Sequence, residues 1–373
     1  MMIRLPEKIR NTLDRLVKKL KARETIYSIS LFGSWSRGDA EPSSDVDLLI
    51  VDNQPFDNEY VERLEQNGTL IDLNYIPQKW ITGPVPPEID QKIYEAYILY
   101  DREWTLTNTK ERIMNSFYSP ERLKIRAENY LVDADIYISR ATSAQARSDY
   151  ESAQTFATLS THAILKTIIE ASKLPVTNSR YLKALKKATD QLNVTALFTN
   201  YLQVAKLDNL PSNQVEEKLG SFKAVWEEVS SFTKTNAHLL NPMHFKIRTK
   251  LNYYTTLPFL QGVILRSQAL LNEDEHQEAA NYLFNILVDM LENYAWLKAA
   301  EQSTRLDYTT LLRSLKGLKQ KPTTIHRNAT KALNLEDMDE NEAEKTITTA
   351  KHIILEVRQQ RKMFFNQIQK ETY

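Results

Sequence analysis

The sequence predicts an α+β protein with strands in roughly its first hundred residues and helices thereafter. Strand-like alternation of apolar and polar residues occurs only before about Trp104. Helical periodicity dominates from Pro120 to the end. The 373-residue chain has only 7 glycines, and two of them, Gly33 and Gly38, lie close together, so tight turns are few and helices long.

Leu5 to Leu20 reads as an amphipathic helix. Pro6 suits a first turn, and Ile9, Leu13, Leu16, Val17 and Leu20 share a face. Lys8, Arg15, Lys18 and Lys19 point away and read as a solvated face. A strand follows on Tyr27, Ile29 and Leu31, and a second on Val46, Leu48 and Ile50. Leu70 to Ile76 is a third, entered after Asn67-Gly68 and stopped by Pro77. After a Pro-rich loop, Gly83 to Pro87, a helix is expected with Ile89, Ile93, Ala96, Tyr97 and Tyr100 on one face. The helical remainder breaks near Leu174-Pro175, Leu210-Pro211 and Asn241-Pro242. The acidic stretch Glu336 to Glu344 precedes the last helix and suits its N-terminus. Three ordered matches suggest a duplication: Leu123–Arg126 with Phe245–Arg248, Asp149–Ala153 with Glu275–Ala279, and Tyr181–Leu185 with Tyr308–Leu312. The expected division is a catalytic domain over residues 1–108, a helical bundle over 109–210 that binds the substrate, and a second bundle over 211–373.

Composition excludes several classes. Lysine plus arginine equals aspartate plus glutamate, 48 each, so no general charge draws the chain to nucleic acid or an acidic membrane. There are 0 cysteines, hence no disulfide, thiolate metal site or cysteine nucleophile. The 6 histidines lack metal-ligand spacing, and His162 reads as a packed core residue. Trp226 and Trp296 fall in helical apolar patterns and read as core or pocket walls. An EF-hand reading of the acidic stretch fails for lack of the required glycine and ligand spacing. Met1 to Arg10 carries charges where a signal peptide needs an apolar core. No apolar run is long enough to span a bilayer; Phe259 to Leu271 comes nearest, and Arg266 interrupts it. The expectation is a cytoplasmic protein with no membrane partner.

The chemistry concentrates in one segment. After the strand ending at Phe32 come Gly33 and Ser34, with a helix expected to start within Ser34 to Arg37. Gly33 lets the backbone approach a phosphate. Ser34 offers a hydroxyl and an N–H near a helix start, and Arg37 a guanidinium fork. Ser44 leads into Asp45-Val46-Asp47, whose two carboxylates share one face because residues two apart in a strand point the same way. Asp72 joins them if the third strand lies alongside. Three carboxylates this close repel unless a cation neutralises them, and magnesium does so while keeping substrate phosphates in its shell. Two such metals could activate an attacking hydroxyl and stabilise a leaving pyrophosphate. The competing reading puts Asp45 and Asp47 on an exposed edge strand. The run Leu48-Leu49-Ile50-Val51 argues against it, because such a strand is buried on both faces. Asp45, Asp47 and Asp72 are therefore the expected catalytic and metal residues, and Gly33, Ser34, Arg37 and Ser44 the expected nucleotide-binding ones.

Leu31 to Val51 resembles the nucleotidyltransferase superfamily that includes DNA polymerase beta and kanamycin nucleotidyltransferase. Gly33-Ser34, ten residues, then Asp45-Val46-Asp47 matches its pattern. Arg37-Gly38, Ser44 and Leu48-Leu49 look like its minimal members. Ile71-Asp72-Leu73 resembles the strand of the third carboxylate, and Ile98 to Asp101 the end of the domain. The resemblance implies a mixed sheet with flanking helices, a magnesium ion, and transfer of a nucleoside monophosphate from ATP or another nucleoside triphosphate with release of pyrophosphate. Arg122 to Lys187 resembles, more weakly, the helical substrate-binding domains of antibiotic nucleotidyltransferases and HEPN bundles, although the HEPN ribonuclease Arg-x4-His motif is absent. In antibiotic-modifying relatives a helical-domain carboxylate serves as general base, which makes Glu128 the candidate here, with Asp133 and Asp135 nearby. The leading expectation is transfer of AMP to a hydroxyl of a small, antibiotic-like molecule. The alternatives are a tRNA or protein acceptor, as in toxin-type relatives, or a non-catalytic nucleotide-binding module.

Overall fold

The computed structural model describes residues 5–208, 210–317, 320–336 and 338–370. In chain order the elements are α1 (Glu7–Lys21), β1 (Ile26–Phe32), α2 (Ser34–Arg37), β2 (Val46–Asp52), β3 (Tyr60–Gln66), β4 (Thr69–Pro77), α3 (Lys79–Thr82), α4 (Asp90–Glu95), β5 (Tyr97–Asp101) and α5 (Thr105–Ser116). Then come α6 (Pro120–Ala146), α7 (Tyr150–Ala171), α8 (Tyr181–Gln191), α9 (Thr195–Val204), α10 (Ser212–Thr235), α11 (Phe245–Tyr254), α12 (Leu257–Asn272), α13 (His276–Glu301), α14 (Leu311–Ser314), α15 (Thr324–Leu333) and α16 (Glu340–Lys370).

The contacts divide the chain into two compact units. The first holds residues up to Ser119 together with Asn241–Arg266, and the second holds Pro120–Leu240 and the residues from Ser267 on. This differs from the boundaries expected at residues 108 and 210. The α5 helix stays with the first unit because Leu106 and Ile113 enter its core. Residues 241–266 return to it because Phe245 stacks on Phe56, with ring centroids 6.1 Å apart, and meets Tyr60 edge-on at 5.5 Å. The helical residues that remain cluster as one unit rather than two bundles.

In the first unit a 5-stranded sheet runs in the order β3-β4-β2-β1-β5. The β2–β4 pair is parallel and the other pairs antiparallel, so the sheet is mixed. On one face Ile29, Leu31, Leu48, Ile50 and Leu73 pack with the apolar stripe of α1. On the other, Phe32, Leu49, Val51 and Ile76 pack with Ile81, Ile93 and Ile113 from α3, α4 and α5. Covering both faces excludes water from the central strands, which is why β2 reads as a continuous apolar run.

Two expectations change here. The helix drawn through Tyr97 and Tyr100 stops at Glu95, and Tyr97–Asp101 is strand β5, paired with β1. Its apolar residues continue the helical spacing of Ile89 and Ile93, so periodicity alone could not separate the two. Strand β3 was not expected, because as an edge strand it is only half-buried and carries polar residues.

The second unit is all-helical among the described residues. The expected breaks at Pro175, Pro211 and Pro242 fall between helices. Asp149 caps α7 by accepting from the Ser152 amide at 3.3 Å. Glu278 of α13 caps the start of α8, accepting from the Leu182 and Lys183 amides at 3.0 and 2.9 Å. In the acidic stretch Asp339 accepts from the Glu342 amide at 2.8 Å and so caps α16, while Asp337 lies outside the described residues. His162 is buried, stacked on Tyr181 at 3.9 Å, with its Nδ1 3.1 Å from the Tyr201 hydroxyl. Burial holds its imidazole well below the usual range, hence neutral in the core. Trp226 is likewise buried, and Trp296 meets Tyr308 edge-on. The matched segments of the suggested duplication occupy unlike elements at two places. Leu123–Arg126 opens long α6, whereas Phe245–Arg248 opens short α11 in the first unit; Tyr181 starts α8, whereas Tyr308 precedes α14. No helix among the described residues is long and apolar enough to cross a membrane.

Candidate active site

The sheet register brings the charged residues together. Asp47 on β2 stands beside Asp72 on β4, and Arg63 on β3 beside Asp72 on its other side. Residues directly opposite in adjacent strands share a face, so Arg63, Asp72 and Asp47 form one transverse row. Asp45, two residues before Asp47, joins it through Arg63. Nη2 of Arg63 lies 2.5 Å from Asp45 Oδ2 and 2.5 Å from Asp72 Oδ2, while its Nε donates to Asp72 Oδ1 at 2.5 Å. One guanidinium thus spans two of the three expected carboxylates.

Residues 241–266 add two more groups. Arg266 donates to Asp45 Oδ1 at 3.1 Å, and the Tyr253 hydroxyl to Asp72 Oδ2 at 3.3 Å. Gly262 lies so close to Arg63 that any side chain there would run into the guanidinium.

Burial pushes the Asp47 carboxyl well above the usual carboxylate range, and the charges of Asp45 and Asp72 push it further; Arg63 and Lys92 pull against them. Among the described residues Asp47 makes no direct ion pair, so it is the carboxylate least compensated by the protein's own cations. Burial also pushes Asp72 up, with the Arg63 fork opposing. Burial alone would lower the Arg63 guanidinium, but Asp72, Tyr253 and Asp45 hold it charged. Lys92 of α4 donates to Asn74 Oδ1 at 3.1 Å and pairs with Glu59.

Gly33 sits at φ 74°, ψ −155°, backbone that only glycine adopts readily. A Cβ there would come within 2.5 Å of Asp47 Oδ2, so the bare Cα is what lets the β1–α2 turn close over that carboxylate. The Gly33 amide donates to Glu95 Oε2 at 3.1 Å. Arg37 donates to the same oxygen at 2.8 Å and to Asp39 at 3.2 Å. Ser34 opens α2, and its carbonyl accepts from Gly38 at 2.9 Å. The Ser44 hydroxyl accepts from the Glu41 amide at 2.9 Å, closing the loop before Asp45.

Of the expected residues, Asp45, Asp47, Asp72 and Gly33 therefore converge. Arg37 stands beside Gly33 through Glu95, and Ser44 is engaged in its own loop. Glu128 belongs to the second unit, about half exposed and paired with Arg361 at 2.8 Å; nearby Asp135 pairs with Arg358. Sequence reading missed Arg63, Glu95, Tyr253 and Arg266. Only Arg266 left a signal, as the charge interrupting an apolar run.

Oxygen donors on one face, one of them without a direct cation partner, suit a hard divalent cation such as magnesium. The set is not preassembled: among the described residues no three acidic or imidazole side chains stand ready as ligands. The Asp45 and Asp72 oxygens are turned toward Arg63 instead.

The nucleotidyltransferase domain family matches residues 13–115, the stretch that supplies the sheet and all three carboxylates. A Methanocaldococcus jannaschii protein, provisionally named a protein adenylyltransferase, is 33% identical over 81 residues, covering 20% of this chain and 81% of its own length. A nucleotidyltransferase-like protein from Exiguobacterium sibiricum 255-15 overlaps 75% of this chain and 80% of its own at 13% identity, with a TM-score of 0.30, too low to bear on the fold.

Proposed function

This chain belongs to the nucleotidyltransferase family and is an enzyme of nucleoside monophosphate transfer; from that premise we propose that it moves AMP from ATP to a hydroxyl of a small-molecule acceptor, with magnesium as cofactor. The observation that carries this reading is the convergence of Asp45, Asp47 and Asp72 on one sheet face, with the Gly33 backbone pressed against Asp47.

In the transfer the acceptor oxygen bonds to the α-phosphorus, the bond to the bridging oxygen breaks, and pyrophosphate leaves with that electron pair. The acceptor's proton passes to a site carboxylate, for which Asp72 is the proposed base. Asp45 and Asp47 would hold the magnesium, which when bound neutralises charge on the phosphates. Gly33 and Arg37 would hold phosphate oxygens through the amide and the guanidinium. Ser34 is the proposed further contact at the same turn, and Glu128 a lesser candidate for the base. The helical unit is proposed to hold the acceptor.

A second reading places AMP on a protein hydroxyl. The M. jannaschii relative's name favours it. Incubation with magnesium and ATP labelled at the α-phosphate separates the two. Label in a small-molecule fraction is expected, and label on protein supports the second reading. No transfer to either, or transfer unchanged in the Asp45→Asn/Asp47→Asn double variant, would overturn the proposal. The expected loss in that variant is roughly 1,000-fold or more.

A further inference from the structure

The site carries its own ions at the places where a metal-bound triphosphate would need to sit. The Glu95 carboxylate is buried, its side chain 5% exposed. Its Oε2 takes the Gly33 amide and the Arg37 guanidinium, the two donors expected to hold phosphate oxygens. Its Oε1 accepts from Gln91 at 2.8 Å, and the Ser36 hydroxyl donates to its backbone carbonyl, so the carboxylate is fixed in place. An internal anion therefore occupies the anion cradle. On the other side Arg63, its side chain 6% exposed, spans Asp45 and Asp72, and Arg266 takes the remaining oxygen of Asp45. Internal cations therefore occupy Asp45 and Asp72, and Asp47 is left to their field alone.

The charge pattern is that of a cation held by carboxylates beside an anion held by an amide and a guanidinium. A metal bound to a triphosphate presents that pattern from outside. We propose that Glu95, with Arg63 and Arg266, are exchange residues. They balance the charges of the carboxylates and of the anion cradle, and the metal-bound nucleotide binds by displacing both sets. This rests on the nucleotidyltransferase reading of the site. It adds that nucleotide affinity is set by competition with these side chains, and that the two halves of the competition are separable. Glu95 opposes the phosphates, and the arginines oppose the metal.

A purely structural role for these pairs predicts something different: losing one would weaken binding of every ligand or of none. Calorimetric titration with two probes, manganese alone and inorganic tripolyphosphate alone, separates the cases. Glu95→Gln is expected to bind tripolyphosphate about tenfold more tightly than wild type, with manganese affinity within twofold. Arg63→Gln is expected to do the reverse, binding manganese about tenfold more tightly and tripolyphosphate no better. Should Arg63→Gln fail to fold, Arg266→Gln carries the same expectation for manganese. Variants that bind both probes as wild type does, or both more weakly, overturn the proposal. The Asp45→Asn/Asp47→Asn variant keeps the two levels apart. Manganese binding unchanged by it would sink the nucleotidyltransferase reading of the site together with the exchange. Manganese binding lost in it, with no selective gain in the single variants, sinks the exchange alone.

Discussion

Gly33→Ala is expected to cost about 100-fold or more in nucleotide transfer while the protein still folds. Two effects add at this position. The backbone at φ 74°, ψ −155° is strained for any residue with a side chain, at about 1–3 kcal/mol. The new methyl would also lie 2.5 Å from Asp47 Oδ2, well inside contact distance, and so would displace the carboxylate or reopen the turn. Either response shifts Asp47 relative to Asp45 and Asp72, and it moves the Gly33 amide from the place where it is proposed to hold a phosphate oxygen. Chemistry that depends on aligned oxygens loses rate steeply with such a displacement. Steady-state transfer, with a thermal melt as the control on folding, checks this. Activity within threefold of wild type would show that the turn does not position Asp47. Gly38 offers a contrast. It also has positive φ, but a Cβ there would meet nothing within 4 Å, so Gly38→Ala carries the strain without the collision.

The largest expected effect on stability lies in the helical unit. Arg126 of α6 is 2% exposed and forms a two-pronged pair with Glu170 of α7, at 3.0 and 2.8 Å, and the Tyr130 hydroxyl donates to the same carboxylate at 3.0 Å. Arg126→Met removes the cation and leaves a buried carboxylate held by weaker donors. A loss of about 3–5 kcal/mol is expected, on the order of a 10 °C fall in melting temperature. The double variant Arg126→Met/Glu170→Leu is expected to recover most of it, since the penalty comes from the charge left behind rather than from the pair itself. Urea denaturation of the single and double variants measures both. A single variant that loses less than about 1 kcal/mol would mean that the helix pair tolerates an unmatched charge.

Much of the first unit was legible because its signals are local. Strands β1, β2 and β4 announce themselves through alternation, Asn67-Gly68 and Pro77, and the site through a glycine turn followed by two aspartates at the head of one strand. Strand β3 and the segment 241–266 were not legible, for a physical reason. A half-buried edge strand needs no strict alternation, and Arg63 gains its meaning only from Asp72 across the β3–β4 hairpin. Arg266 and Asp45 are separated by 221 positions, a closure that no local pattern encodes. Arg266 was visible only as an oddity in an apolar run, and Glu95, inside a helix that the periodicity carries on to Tyr100, left no signal. Arg37 illustrates the converse. Its residue type and position marked it as a phosphate ligand, but its present partners, Glu95 and Asp39, could not be read from the chain.

Asp45 and Asp47 are proposed to hold a metal-bound nucleoside triphosphate against the Gly33 turn. Anomalous diffraction from crystals grown with manganese and a non-hydrolysable ATP analogue tests this proposal directly. A manganese peak is expected at the carboxylates of Asp45 and Asp47, with triphosphate density on the Gly33 amide and Arg37 in place of Glu95. Ordered nucleotide elsewhere, or manganese absent from those two carboxylates with nucleotide bound, would contradict it.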